Sequence, residues 1–389
     1  MAAMGIPFFV YHMIKTGGFF LSKELVIASM IAVVFSLMGN FSVEYNNTND
    51  YAYTSYIISM WIWFLGSYTI IAFIGLVHKY LSFRLLANYL IVACVLQCIL
   101  ALLINFIPDF KLFVDTYFIT GNLEFLNRVK RLYGIGAHLD ASGGRFAVVL
   151  CMISILLCNN DKVKHSSVSI VLYTLSFIII SIIGNVISRS TTIGMVGGIV
   201  YYLLFGTDVF KSNVRVQNLK LMQIMVVCLI LLGVITSYFY STNQDVFKLL
   251  RFGFEGFFNW IETGTWETDS TEKLKTMWVF PDHLKTWIIG DGYFEDPNKS
   301  GYFYMNTDVG YLRFIFYCGI IGLTLFSIFF IYLSYALQYR FANIKHLFIV
   351  LIILVFINWL KVSTDFFLVY AFLLSMSSPY LYNTYYREE

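Results

Sequence analysis

Three arginines, Arg145, Arg189 and Arg313, each stand at the edge of a long apolar stretch. A guanidinium beside hydrocarbon is costly to keep, and it ordinarily binds an anion or lines a functional cavity. Arg189 lies in Gly184-Asn-Val-Ile-Ser-Arg-Ser-Thr-Thr192, a very short connection between two apolar runs, among the hydroxyls of Ser188, Ser190, Thr191 and Thr192. The guanidinium fork suits bidentate phosphate binding, and hydroxyls with the unpaired amides of the next helix add donors. The competing role is an arginine that closes its own turn on backbone carbonyls; the hydroxyls favour a ligand. Arg145 follows Arg131-Leu-Tyr-Gly-Ile-Gly136 and lies within Ala141-Ser-Gly-Gly-Arg-Phe146. Four glycines near two arginines let backbone approach a ligand closely. Arg128, Lys130 and Arg131 extend the cationic character, although Lys130 reads better as a solvated loop residue.

Arg313 ends the stretch Thr307-Asp-Val-Gly-Tyr-Leu-Arg313. Asp308 stands at the start of the helix that carries it, and is the first candidate for a general base. A carboxylate there also suits the helix dipole, so capping is its plainer role. His283, in Phe280-Pro-Asp-His-Leu-Lys-Thr-Trp287, is the second candidate base. Gly319 and Gly322 are expected to let helices pack closely. Lys361 and Asp365 bracket the last connection. They either pair with each other or leave Lys361 as a fourth cation.

The elements that position these residues follow from hydropathy. Of 389 residues 59% are hydrophobic and 13% charged. Apolar runs of about 17–25 residues recur, the length that crosses a bilayer core. An all-α, polytopic membrane protein with about ten or eleven spanning helices is expected; a barrel would show short alternating strands. The runs are 25–41, 54–77, 85–106, 143–158, 168–187, 192–206, 219–240, 309–337, 347–360 and 365–382. Gly5 to Ile14 is too short to span alone, and reads as an interfacial segment or the end of a helix that begins earlier. No cleavable leader is expected. If each run crosses once, the connections bearing Lys15 and Lys23, His78 to Arg84, Lys162 to His165, Lys211 to Lys220, and Arg340 to His346 share one side, the cytoplasmic one. All three arginines then emerge on the opposite face. Net charge +3 is too small to imply nucleic acid. The six cysteines lie within apolar runs, and no disulfide framework or metal site is read from them.

The chain divides into an N-terminal bundle, 1–240, with a polar segment at 107–141; a large loop, 241–308; and C-terminal helices, 309–389. The loop carries eleven acids, six bases and four of the seven tryptophans, Trp260, Trp266, Trp278 and Trp287. So long a connection is usually functional or disordered, and this one is too aromatic for disorder. A folded lid with short helices is expected, one of them over 270–279.

Several stretches carry a family resemblance. Serine–arginine at a tight turn resembles the motif of O-antigen polymerases and ligases. The ligases carry His-[Asn/Ser/Gln]-x9-Gly-x-x-Gly; on this chain that spacing falls on Asp308-Val309, nine residues, then Gly319-x-x-Gly322, with the histidine position held by Asp308. Arg-Leu-Tyr-Gly-Ile-Gly, Gly-Arg-Phe, Trp287-Ile-Ile-Gly-Asp-Gly and Asp-Val-Gly-Tyr-Leu-Arg look like stretches of Wzy-type repeat-unit polymerases. The resemblance implies a GT-C-like bundle in the bacterial inner membrane, with its active site facing the periplasm. The implied reaction joins undecaprenyl-diphosphate-linked repeat units into O-antigen, capsule or exopolysaccharide. No cofactor or metal is expected, no Asp-x-Asp motif being near these arginines. Implied partners are the lipid-linked glycans, membrane lipids, a chain-length regulator and a flippase. Arg145, Arg189, Arg313, Ser188, Ser190, Lys361 and Arg131 would bind substrate, and Asp308 or His283 would supply the base. An O-antigen ligase is the nearest alternative. A lipid-linked oligosaccharide flippase is a different class, expected to show mid-membrane charges and internal symmetry. A receptor or assembly scaffold would not need buried arginines.

Overall fold

The computed structural model describes all residues except 119–130, 137–138, 207–222, 224–226, 228–229, 232, 235, 239, 300 and 388–389. Arg128, Lys130, Cys228 and most of the expected span 219–240 therefore lie outside the described residues. In chain order the α-helices are α1 Ala2–Thr16, α2 Lys23–Tyr45, α3 Tyr56–His78, α4 Phe83–Phe106, α5 Pro108–Tyr117, α6 Leu139–Asn159, α7 Asp161–Lys164, α8 Ser167–Ile187, α9 Thr191–Phe205, α10 Gln244–Gly253, α11 Glu255–Thr263, α12 Asp269–Thr276, α13 Leu284–Ile289, α14 Gly310–Arg340, α15 Lys345–Trp359, α16 Phe367–Met376 and α17 Pro379–Tyr385. Helical residues also occur between 223 and 242. Among the described residues extended pairing is limited to two isolated bridges.

The protein is an all-α, multi-pass membrane protein: seven of the described helices are long and apolar enough to cross a bilayer. Two expected spans differ. The run at 192–206 forms α9, of 15 residues. At 1.5 Å rise per residue that is about 22 Å, short of a hydrocarbon core. The run at 365–382 is cut at Ser377-Ser378-Pro379 into α16 and α17, because proline cannot continue a helix and is placed at the first position of a new one. The expected short helix in the large loop is present as α12, accompanied by α10, α11 and α13.

Contacts divide the chain into two compact units, residues 1–83 with 270–389, and residues 84–269. This division runs through the large loop, where the sequence drew one segment over 241–308.

In the first unit α14 packs against α2, α13 and α15, while α3 packs against α1 and α16. Its core is aromatic: Trp359 is fully buried, and stacks on Phe326 with ring centroids 5.4 Å apart. Phe326 also stacks on Phe35 at 4.6 Å. The N-terminal segment is a 15-residue helix lying along α3 so closely that a Cβ on Gly5 would be 2.3 Å from the Leu65 carbonyl oxygen.

The run 309–337 is not one straight helix. It breaks at Cys318–Gly319, where Gly319 has φ 67° and ψ −174°. The carbonyls released by the break need partners, since lipid offers none. Asp291 N donates to Phe316 O at 2.6 Å and Gly292 N donates to Tyr317 O at 3.1 Å. Ser42 Oγ also donates to Tyr317 O at 2.6 Å. Gly319 allows close helix packing as expected, making room for α13, whose Ile288 O would lie 2.0 Å from a Cβ at 319, and it also turns the chain. Gly322 accommodates the Cys318 side chain of its own helix.

In the second unit α6 is the enclosed element, with 89% of its apolar window buried. Close approach of α9 to α6 is set by small residues. A Cβ on Gly194 would be 2.1 Å from Ala147 Cα, and one on Gly198 would be 2.8 Å from Ser154 Oγ.

Gly319 and Gly17 both have positive φ, but only Gly319 faces neighbouring backbone. Gly319→Ala should lower stability in detergent by clearly more than Gly17→Ala, which carries only the backbone strain of about 1 kcal/mol. Thermal unfolding of the two purified variants measures the difference.

Candidate functional site

Arg313 is the side chain whose surroundings ask for a ligand. It lies in the second turn of α14, before the break, and is 7% exposed. Two rings crowd it: Cζ is 3.8 Å from the centroid of Phe294 and 3.4 Å from that of Phe303, the rings standing edge to face with centroids 5.8 Å apart. The rings come from two arms of a small turn, joined by the antiparallel bridge between Glu295 and Phe303 and by Tyr304 N donating to Phe294 O at 3.2 Å. Asp50 fixes one arm, accepting from Phe294 N at 2.7 Å and Glu295 N at 2.9 Å. Each cation–π contact contributes about 0.5–2 kcal/mol. Such contacts make no hydrogen bond to the guanidinium's N–H groups. Nε and Nη2 of Arg313 are buried and have no hydrogen-bond partner. A buried donor left unpaired costs about 1–3 kcal/mol, so it calls for an explanation.

Acidic groups act on this cation from a distance: Asp308, Glu295 and Asp50 all exert an electrostatic effect on it. Asp308 is half-buried. The N-cap position of α14 is Val309, which has no side-chain cap, so Asp308 stands one residue outside the cap. Tyr53 packs edge-on against Phe294 at 5.2 Å, and burial pushes its phenol well above the usual range. His283 is exposed and begins α13 without a side-chain cap. Asp308, unlike His283, is among the groups whose charge acts on Arg313. Lys361 is half-buried in the connection between α15 and α16, where Asp365 accepts from Tyr56 Oη at 3.2 Å.

Arg189, in the second unit, is held differently. Its Nε donates to Phe252 O at 3.1 Å, its Cζ lies 4.3 Å over the Phe252 ring, and it forms an ion pair with Glu255. Arg131 reaches the same ring, with Cζ 5.2 Å from the centroid. Arg131 Nε is buried without a hydrogen-bond partner. Burial lowers the Arg189 pKa from its usual value; Glu255 opposes the shift and Arg131 adds to it. Two cations therefore share one phenylalanine ring.

The serines beside Arg189 have a partner of their own. Asp140 Oδ1 accepts from Ser188 Oγ at 3.2 Å and from Ser190 Oγ at 2.8 Å. Gly143 makes room for them, since its Cβ would be 2.5 Å from Ser188 Oγ. Thr191 donates to Gly184 O at 3.0 Å and Thr192 to Asn185 Oδ1 at 2.6 Å. These hydroxyls shape the turn that presents Arg189. Within the second unit Arg145 is not brought to the Arg189 cluster. It is the one exposed residue between Ser142 and Cys158 of α6, a cation at the single open position of an otherwise enclosed helix.

Sequence reasoning missed Phe252, Phe294, Phe303 and Asp50, which hold the arginines in place. The aromatic crowding at 252–258 is a visible signal for the first; nothing local marks the others.

Compared with protein-family models, curated proteins and solved structures, the chain gives no match. The geometry of the arginines therefore carries the functional argument.

Asp50→Ala removes the acceptor that fixes the Phe294 arm. Loss of hydrogen bonds to a charged group should cost about 1.5–3 kcal/mol. It should also expose the segment 293–304 to limited proteolysis, read against the unfolding midpoint of the same sample.

Proposed function

We propose that the protein is a glycosyltransferase of the membrane surface, joining repeat units carried on a polyprenyl diphosphate into a polysaccharide. One observation carries the reading: a nine-tenths-buried Arg313 whose Nε and Nη2 have no partner. An anionic oxygen between those donors would satisfy both.

The reaction consumes two substrates, and both bear a diphosphate. The acceptor hydroxyl oxygen attacks the anomeric carbon of the donor, and its proton passes to a carboxylate, for which Asp308 is the candidate. The anomeric C–O bond breaks, and its electron pair leaves on the donor's diphosphate. Arg313 would stabilise that leaving charge in a low-dielectric pocket, where preorganised donors are most effective. Asp308 is among the charges that act on Arg313, which supports pairing the two as base and cation. Arg131 and Arg189 form a second anion site, suited to the diphosphate of the other lipid-linked substrate. The exposed Trp260 and Trp278 offer flat apolar faces of the kind that stack on sugars. The bacterial inner membrane, with the reaction on its periplasmic face, is the location this reading implies.

Arg313→Ala and Arg189→Ala should each lower polymer formation about 10²–10³-fold. Arg313→Lys should not restore it, because an ammonium lacks the planar fork and stacks poorly on two rings. Asp308→Asn should slow transfer while binding of lipid diphosphate persists. Glycan ladders and accumulated lipid-linked single repeats report the outcome; normal ladders in both alanine variants would refute the reading.

A further inference from the structure

The second anion site is already occupied from within. Glu255 pairs with Arg189, and the pair is largely shielded, with side-chain exposures of 13% for Arg189 and 18% for Glu255. The carboxylate Oε2 meets Nη2 of the guanidinium as an anionic phosphoryl oxygen would, while Oε1 accepts from Asp269 N at 3.2 Å. Glu255 is also the first residue of α11, so the ion pair tethers that helix to the turn at 188–190. A second tether runs from Arg189 Nε to Phe252 O at the end of α10.

The same helices wall a cavity of about 540 Å³. Leu250, Phe254 and Phe257, which flank the Arg189 partners in sequence, face α8 and α9 residues Ile178 and Ile199 across it. The lining is almost wholly apolar, and its volume falls in the usual range for small-molecule sites. A cationic group and an apolar cavity thus share one segment, 250–258. Their joint chemistry fits an amphiphile with a phosphorylated head and a hydrocarbon tail.

We infer that Glu255 is a displaceable stand-in for the ligand's phosphoryl group, and that its release lets α11 move and admit the hydrocarbon tail to the cavity. The inference rests on the proposed role of Arg189 in binding a lipid diphosphate. It adds that the site is self-inhibited when empty, and that head and tail binding are coupled through α11. An internal competitor lowers apparent affinity by the fraction of time it occupies the site. Removing it should therefore tighten binding. A pair that merely holds the fold together would do the opposite or nothing.

The test uses the full-length protein in detergent, with farnesyl diphosphate, inorganic diphosphate and farnesol as probes. Glu255→Gln keeps the side-chain volume and removes the charge. It should bind farnesyl diphosphate about tenfold more tightly than the unaltered protein, and should raise polysaccharide output at limiting substrate. Thr236→Phe, which fills the cavity, should weaken farnesyl diphosphate and leave inorganic diphosphate unchanged. Farnesol should bind weakly to both proteins. If Arg189→Ala keeps full affinity for both diphosphates, the anion site itself is wrong. If Arg189→Ala loses them while Glu255→Gln binds no tighter and unfolds at the same temperature, the anion site stands and the stand-in role is overturned. A lower unfolding temperature for Glu255→Gln with unchanged affinity would likewise assign the pair to stability alone.

Discussion

A break in one membrane helix governs the first unit. At Cys318–Gly319 the chain of α14 turns aside, and two carbonyls that would have bonded within the helix are released. Within hydrocarbon such groups must be paired by protein. Here the pairing comes from Asp291 and Gly292 of the large loop and from Ser42 of α2. The bonds fix the end of the loop segment to the bundle. Asp291 is itself held, accepting from Lys285 Nζ at 2.7 Å and Thr286 Oγ1 at 2.8 Å. From that anchor the chain runs two residues to Phe294, and Asp50 secures the next two amides. The rings that cover Arg313 are thus placed by backbone hydrogen bonds whose origin is the break. A loop that hung free over a straight helix could not hold two rings against one guanidinium.

The two units answer the same electrostatic problem in different ways. A guanidinium taken out of water must be compensated, and an unpaired one is the costly case. Arg189 is compensated by a carboxylate, a carbonyl and a ring. Arg313 has two rings against it and carboxylates that act only through their charge. The first arrangement is complete in itself, so any anion must compete with Glu255. The second leaves two donors, Nε and Nη2, without a hydrogen-bond partner. This contrast is why Arg313, rather than the better-bonded Arg189, carries the functional argument.

The spanning helices were legible because a bilayer imposes a length and an apolarity that few other constraints mimic. Starts and stops were legible to within a few residues where Ser22 and Ser166 cap α2 and α8. The break in α14 was not, because Gly319 and Gly322 have the spacing of a packing motif and the break depends on a loop some thirty residues upstream. Arg189 stood out by its hydroxyl neighbours, yet those hydroxyls proved to serve Asp140 and the turn. Their density reflected the demands of a tight connection between two helices. Glu255 and Phe252 were invisible for a simpler reason: a partner more than sixty residues away leaves no local pattern.

The choice of aromatic faces over acidic partners at Arg313 has a chemical consequence. A carboxylate partner neutralises the cation and occupies its N–H edge. A ring does neither: its quadrupole attracts the charge, and the net charge persists. Two rings packed against the guanidinium also restrict its orientation. Such preorganisation is what makes a donor useful to a developing negative charge, since nothing has to reorganise as the charge appears. The same burial keeps water from the guanidinium, which strengthens whatever electrostatic interactions it makes.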